Sequence, residues 1–276
     1  MKTILICHAG AELEEDGLAR WLADWSELGG IIRLTEKSGR KWKRIRREVR
    51  RVGAFRFLDV LAFRLWYRFA KAKQDHAWEQ TQLAQLRERF ANVPDSVPVL
   101  ETHSPNSPEA EEFIKQLSPS IMIARCKTLL AERIFSIPST GTFVMHPGMC
   151  PEYRNAHGCF WALARSDVDR VAMTLLKIDK GVDTGNVYGY FGYDFDELNE
   201  SHHVIQYRTV IENLDAIAET FREIEAGRAE PIDTTGRESA TWGQPWMTRQ
   251  IYWSFKAKQR ARNRARQQSH QLADVS

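Results

Sequence analysis

The stretch TFVMHPGMCPEYRNAHGCFWAL, residues 142 to 163, predicts a strand, a turn and a helix in succession. An apolar run ends in His146 and stops at once at Pro147 and Gly148, which terminate a strand and let a ligand approach the backbone. A polar loop follows and leads into an aromatic, helix-like segment at residues 156 to 165. A strand joined by a short loop to a helix is the repeating unit of an α/β sheet.

The same alternation recurs along the chain. Apolar runs predict further strands at residues 2–8, 31–34, 97–102, 120–126, 171–178 and 186–191. Between them, helices are predicted at residues 11–28, with a break at Gly29 and Gly30, after Ser107 and Pro108, at 128–134, and as one long amphipathic helix at 202–226. We therefore predict the α/β class: a mainly parallel, Rossmann-like sheet with helices on both faces.

Composition describes an ordinary globular protein. The 276 residues are 43% hydrophobic and 27% charged, which is enough apolar mass for a sizeable core. Apolar runs stay short of the roughly 20 residues that cross a bilayer, and the N-terminal run is too short for a secretory signal. The four cysteines contain no CxxC pair and predict reduced thiols. These features predict a cytoplasmic protein.

Basic residues are concentrated in two segments. Residues 38–92 predict a basic helical insertion of two or three helices within a domain at residues 1–228, and residues 229–276 predict a basic, helical C-terminal extension. The part from 38 to 69 mixes Arg and Lys with Phe, Leu and Trp. It fits a solvated insertion, a helix lying on an anionic membrane surface, or a segment that binds the phosphate groups of a nucleic acid or a sugar nucleotide. The second alternative would add surface membrane association to the cytoplasmic prediction.

Polar side chains follow several of the predicted strands. His8, Cys126 with Lys127, His146, and the loop Asp179 to Asp183 all lie at or just after strand ends. Ligands of open α/β sheets bind in the crevice beyond these carboxyl ends. An imidazole and a carboxylate in one crevice can exchange protons near neutral pH, which makes His146 and Asp183 a candidate pair. The alternative is that Asp183 closes a turn and His146 is a core residue.

The segments HPGMCPEYRNAHG (146–158) and IDKGVDTGNV (178–187) together resemble the paired signatures of the 10-formyltetrahydrofolate-dependent formyltransferases. That family includes glycinamide ribonucleotide, methionyl-tRNA and sugar N-formyltransferases. THSPNSPEA (102–110) is similar to a segment upstream in some members. The resemblance covers about residues 94–192 well and the first strand weakly.

This resemblance implies an enzyme that moves a formyl group from 10-formyltetrahydrofolate, as co-substrate, to an amine of a small molecule, with an amino sugar among the candidates. By the same resemblance, His146 would stabilise the negative oxygen of the tetrahedral intermediate. Asp183 would orient the imidazole and accept the proton of the attacking nitrogen. The folate would bind along Asp179, Lys180, Gly181 and Val182. The substrate would contact His157, Asn155, Arg125 and Lys127. The β-barrel expected for tRNA binding is not evident after residue 230, so a nucleic-acid substrate is disfavoured.

One position departs from the family pattern. The catalytic asparagine two residues before the histidine is replaced by Val144, which cannot donate to an oxyanion. Lys127 or Asn155 could supply the donor, the chain could run a related reaction such as hydrolysis, or it could bind ligand without catalysis. His146, Cys150, His157 and Cys159 match no zinc spacing, so no metal is predicted. Neither the acceptor amine nor the oligomeric state follows from the sequence.

Overall fold

A seven-stranded sheet forms the centre of the computed structural model, which describes residues 1–36, 46 and 48–273. Its strands, numbered in chain order, lie in the spatial order β3 (Val99–Thr102), β2 (Glu27–Leu34), β1 (Lys2–His8), β4 (Ile121–Ala124), β5 (Gly141–His146), β7 (Met173–Lys177), β8 (Val187–Phe191). Each adjacent pair from β3 to β5 is parallel, whereas β7 and β8 run antiparallel to their neighbours. The mainly parallel sheet predicted from the sequence is confirmed.

Helices cover both faces of this sheet, as predicted. Their bounds are α1 (Ala19–Trp25, preceded by a π-helical turn at Leu13–Leu18), α2 (Ala54–Ala70), α3 (Ala72–Arg89), α4 (Pro108–Leu117), α5 (Glu132–Phe135), α6 (Gly158–Ala164), α7 (His202–Ile211), α8 (Leu214–Glu225) and α9 (Met247–Ala273). Side chains alternate along β1, so that Leu5 packs under α1, α3 and α8 while Ile4 and Ile6 pack under α4 and α5. The α/β class is thereby confirmed.

Some elements differ from the predicted ones. The helix predicted at residues 128–134 begins only at Glu132, as α5. The predicted long helix at 202–226 is two helices, because Asn213 leaves helical geometry and its amide donates to the carbonyls of Thr209 and Gly192. The predicted break at Gly29 and Gly30 lies inside β2. A Cβ at Gly30 would come within 2.6 Å of Leu117, so glycine lets α4 pack directly on the strand.

The predicted helical extension is helical only in α9. Its preceding part contains the two-residue strand β9 (Thr241–Trp242), which pairs in parallel with β6 (Arg154–Asn155) as a second, small sheet. The division of the chain at residue 228 stays a prediction.

Two long helices, α2 and α3, lie in the described part of the predicted insertion, and residues 46 and 48–52 before them are helical too. In α2, the buried Phe63 packs edge-on against Phe160 of α6 with ring centroids 5.5 Å apart. In α3, the buried Leu83 and Leu86 join the core beside α1. Residues 38–45 and 47 of the predicted insertion lie outside the described residues. Among the helices that the structure describes, none is long and apolar enough to cross a bilayer.

Candidate active site

His146 is the last residue of β5 and lies at the edge of the sheet where the parallel strands end. It is only 3% exposed. Its Nε2 lies 2.8 Å from the carbonyl oxygen of Tyr153, and its Nδ1 lies 3.4 Å from Oδ2 of Asp183. A carbonyl oxygen can only accept, so Nε2–H donates to Tyr153. The two loops singled out in the sequence therefore meet at this histidine.

Asp183 is the more accessible member of the pair, with its side chain 16% exposed. Its φ of 52° is left-handed, a conformation that aspartate tolerates better than most residues. Oδ2 accepts the backbone N–H of Asn155 at 2.7 Å in addition to facing His146. Within the described part of the chain the hydrogen bond and the ion pair of this carboxylate both fall on Oδ2, which leaves Oδ1 available to accept a proton.

Two glycines, Gly148 and Gly158, let the two ends of the loop between β5 and α6 come into contact. A Cβ on Gly158 would lie 2.5 Å from the Cα of Gly148, and a Cβ on Gly148 would lie 2.6 Å from the carbonyl oxygen of Tyr153. Both contacts are shorter than real Cβ atoms show. Glycine at both ends is what brings the Tyr153 carbonyl close enough to hold the imidazole of His146.

The residues predicted to bind folate form a compact turn before Asp183. Oδ1 of Asp179 accepts the backbone N–H of Gly181 at 2.9 Å and the hydroxyl of Thr184 at 2.7 Å. The carbonyl of Val182 accepts from Arg154 at 3.0 Å, while Lys180 forms an exposed ion pair with Glu132 at 3.0 Å. The turn is therefore held by its own side chains, and its binding role stays a prediction.

The structure separates the four residues predicted to bind substrate. Asn155 lies beside the pair, and its side-chain amide donates to the carbonyl of Trp242. His157 is partly buried at the start of α6, and loss of solvent around its ring, followed by the positive charge of Lys127, lowers its pKa to about 4. Its Nδ1 is buried and has no hydrogen-bond partner among the described residues. The imidazole is therefore neutral at physiological pH, with an unused nitrogen.

Arg125 and Lys127 differ in how many contacts their side chains make within the protein. The guanidinium of Arg125 pairs with the buried Glu14 at 2.9 Å and donates to the carbonyl of Met145 at 2.6 Å. Arg125 thus supports the backbone next to His146. The side chain of Lys127 is exposed, and its backbone N–H donates to Nε2 of His8 at 3.2 Å. Of the two predicted cations, Lys127 is the one whose charge is available to a ligand.

Sequence reasoning missed the contribution of the C-terminal segment. The rings of Trp242 and Trp161 stack with centroids 4.8 Å apart, and the indole N–H of Trp161 donates to the carbonyl of Gly243 at 2.9 Å. The indole of Trp242 donates in turn to the carbonyl of Glu152 at 2.8 Å. This segment therefore holds the loop that carries Tyr153 and Asn155. The only sequence signal was a pair of tryptophans, Trp242 and Trp246, in a polar stretch.

Val144 lies on the strand two residues before His146. It is half-buried and packs against Cys150, Leu176 and Val187. Its side chain is part of an apolar cluster and offers no donor. The departure from the family pattern is thus accompanied by apolar packing around the substituted position.

Comparison with known proteins gives sequence relatives over part of the chain. No family model matches. A methionyl-tRNA formyltransferase from Caldanaerobacter subterraneus is 28% identical over 149 residues, which is 53% of this chain and 46% of the relative. One from Kosmotoga olearia is 33% identical over 92 residues, covering 33% of this chain and 29% of the relative. The chain thus spans less than half the length of these curated relatives.

Solved structures share the fold at low identity. A sugar N-formyltransferase from a Shewanella species has a TM-score of 0.52 at 9% identity, over 93% of this chain and 88% of that one. A phosphoribosylglycinamide formyltransferase from Anaplasma phagocytophilum has a TM-score of 0.50 at 10% identity, over 89% and 99%. The sequence relatives and the shared fold confirm the predicted relationship to the formyltransferases, which are enzymes.

Proposed function

We propose that this relative of the formyltransferases transfers a formyl group from 10-formyltetrahydrofolate to the amine of a small molecule. The observation that carries the proposal is the approach of His146 Nδ1 to Asp183 Oδ2, at 3.4 Å, from two loops that follow different strands. In formyl transfer the acceptor nitrogen attacks the formyl carbon, the bond from that carbon to the folate nitrogen breaks as the folate nitrogen takes up a proton, and the attacking nitrogen loses a proton. A carboxylate at the crevice suits the last of these steps.

The geometry supports a division of labour between the two residues. Oδ1 of Asp183, which has no hydrogen bond or ion pair among the described residues, would take the proton from the attacking amine. Both ring nitrogens of His146 face oxygen atoms of the protein, at 2.8 and 3.4 Å. His146 would therefore act as a positioning residue that fixes Oδ2, in place of the oxyanion donor that the resemblance implies.

An oxyanion donor is then required from elsewhere, and Lys127 fits best. The amide of Asn155, the other candidate, already donates to Trp242. The ammonium of Lys127 is exposed, and its charge lies close enough to His157 to lower the pKa of that imidazole. A flexible cation beside the crevice can reach the developing negative oxygen.

Different observations support the proposed co-substrate and the proposed acceptor. The turn from Asp179 to Val182 borders Asp183, and main-chain groups at such a turn can pair with the polar edge of a pterin. For the acceptor, one structure with the same fold is a sugar N-formyltransferase, which supports an amino sugar as the first class to assay.

The test combines folate binding with transfer. Calorimetry with 10-formyltetrahydrofolate should show binding by both the wild-type chain and Asp183→Asn. Transfer to a panel of amino sugars, amino acids and amino nucleotides should fall about 10²- to 10⁴-fold in Asp183→Asn. The matched control is Asp24→Asn, an exposed carboxylate on α1, which should transfer at the wild-type rate. Absence of folate binding, or equal transfer by all three proteins, would overturn the proposal.

A second candidate rests on Val144. The chain could bind the folate without transferring its formyl group, or hydrolyse it, because the usual asparagine is absent. Binding without transfer to any amine would favour the first form. Release of formate from 10-formyltetrahydrofolate in the absence of amine would favour the second.

A further inference from the structure

The outer face of α2 is apolar along its whole length. Phe55, Leu58, Leu61, Leu65 and Phe69 recur at helical spacing, and all five side chains are exposed. The two phenylalanines are 91% and 82% exposed, and they lie about 21 Å apart at 1.5 Å per residue. A continuous row of large exposed apolar side chains is costly in water and marks an interaction surface.

This exposure does not come from a loosely held helix. The opposite face of α2 is fixed by the buried Val60 and Phe63. Tyr67 donates to the buried carboxylate of Asp75 at 2.8 Å. Asp59 accepts the backbone N–H of Thr248 at 2.9 Å, which caps the start of α9. The apolar row is therefore held outward by a well-packed inner face.

The charges beside the row are positive. Besides its apolar side chains, α2 exposes Arg56, Arg64 and Arg68, and its one acidic residue, Asp59, is occupied by Thr248. The neighbouring helix α9 adds exposed Ile251 and Phe255. It contains no Asp or Glu from Met247 to Ala273, and its basic residues are Arg249, Lys256, Lys258, Arg260, Arg262, Arg264 and Arg266. Glu197 pairs with Arg260 at 2.6 Å and lies 3.7 Å from Arg264, whereas the other basic residues of α9 have no ion pair among the described residues. The surface thus combines an apolar row with an excess of positive charge.

We infer that α2, together with α9, docks on an anionic lipid bilayer. Phe and Leu would enter the boundary between headgroups and acyl chains, and the flanking Arg and Lys would contact lipid phosphates. Each basic side chain at such a surface strengthens binding about fivefold, which follows from about 1 kcal/mol per charge. A second copy of the chain is a poorer occupant, because a two-fold contact would bring the basic α9 helices together.

Vesicle co-sedimentation of the full chain tests the inference. The wild type should pellet with phosphatidylcholine vesicles that contain phosphatidylglycerol, and much less with phosphatidylcholine alone or at high salt. Phe55→Ser with Phe69→Ser should weaken partitioning about tenfold or more. Arg262→Gln with Arg266→Gln should also weaken it, by about 25-fold for the two charges. The matched control, Val99→Ser with Leu129→Ser, removes exposed apolar side chains from other elements and should pellet like the wild type.

Sedimentation velocity without vesicles separates lipid binding from self-association. A monomeric wild type that pellets with anionic vesicles supports the inference, and so does unchanged circular dichroism in the serine variant that no longer pellets. Three results would overturn it: a wild type that does not pellet, a serine variant that pellets as well as the wild type, or a dimer that dissociates in the serine variant while vesicle binding is absent.

Discussion

Lys127 and Val144 make opposite contributions to the proposed chemistry. Lys127 offers an exposed cation near the crevice, whereas Val144 has lost the amide that the family places there. We expect Lys127→Met to lower the rate of formyl transfer about 10²- to 10³-fold, as removal of an oxyanion donor does. Val144→Asn should leave the wild-type rate nearly unchanged but partly restore the rate of Lys127→Met. Single-turnover transfer measures all four proteins.

Two outcomes would contradict that assignment. A wild-type rate in Lys127→Met would show that Lys127 does not supply the oxyanion donor. A faster rate in Val144→Asn would show that the wild-type site lacks such a donor. Lys127→Arg keeps the positive charge and is the conservative control. It should retain most of the activity if charge is what the site uses.

The desolvated ring of His157 should make stability depend on pH. Its pKa falls from 6.5 to about 4 because burial disfavours the charged ring. The His157 imidazole therefore binds a proton near pH 6.5 in the unfolded chain but only near pH 4 in the folded chain. Stability is thus complete above pH 6.5 and is lost as the pH falls toward 4. Between pH 7 and 5 we expect the wild type to lose about 2 kcal/mol more unfolding free energy than His157→Asn.

Asparagine is the matched replacement because it tolerates the left-handed φ of 54° at this position. Urea unfolding at both pH values gives the two free energies. Equal losses in the two proteins would show that His157 is protonated as easily in the folded chain as in the unfolded one. The comparison leaves His202, a buried histidine whose ring centroid lies 5.8 Å from that of His157, in place in both proteins.

Single side chains show what could be predicted from the sequence and what could not. His146 and Asp183 could be found because strand ends and the paired loop signatures mark them. The partner of His146, in contrast, is the backbone carbonyl of Tyr153, and every residue has such a group. Glu14 could not be assigned to Arg125 either, because an ion pair between distant segments leaves no local pattern.

Two helix-capping serines differ in what else they hold. Ser107 caps α4 by accepting the N–H of Ala110 at 3.3 Å. Ser201 caps α7 by accepting the N–H of Val204 at 3.2 Å and also donates to the buried carboxylate of Asp75 at 2.6 Å. We expect Ser107→Ala to cost about 1 kcal/mol of unfolding free energy. Ser201→Ala should cost about 2–4 kcal/mol, because a buried carboxylate also loses a donor.

Threonine at either position keeps the hydroxyl and should restore most of the loss, which urea unfolding can measure. Equal costs for the two alanine variants would mean that the hydrogen bond to Asp75 adds nothing to stability. In that case α3 and α7 would be held together by their other contacts, which include the pair of His203 with Glu79 at 2.6 Å.

The strands and the helices differed in how well the sequence predicted them. The strands were found because short apolar runs bounded by polar turns are distinctive, and the start of α4 was found from Ser107 and Pro108. The division between α7 and α8 was missed because the apolar period continues across Asn213, so that the pattern is the same for one helix or two. Gly30 was misread as a helix break because its role, a close contact with α4, depends on tertiary packing.

The whole chain raises the question of whether residues 1–228 fold without the C-terminal segment. Parallel-sheet periodicity ends before residue 228, which is why the sequence predicts a division there. Yet Arg237 donates to both carboxylate oxygens of the buried Glu152, at 2.9 and 2.7 Å. Trp242 covers Trp161, and Trp253 of α9 is buried against α6. Such contacts are invisible to a pattern that is read along the chain.

We expect a chain ending at residue 228 to be at least about 5 kcal/mol less stable than the full chain, because an uncovered Trp161 and an unpaired Glu152 both carry large costs. It should also lose formyl transfer, since Asn155 and the Tyr153 carbonyl would lose their support from Trp242. A chain ending at residue 266 is the control and should unfold at the same urea concentration as the full chain, because it keeps Arg237, Trp242 and Trp253. Urea unfolding and limited proteolysis compare the stability of the two shortened chains with that of the full chain. A 228-residue chain as stable as the full one would mean that the segment packs on a domain already complete, so that its contacts with the loop after β5 would not be needed to hold the site.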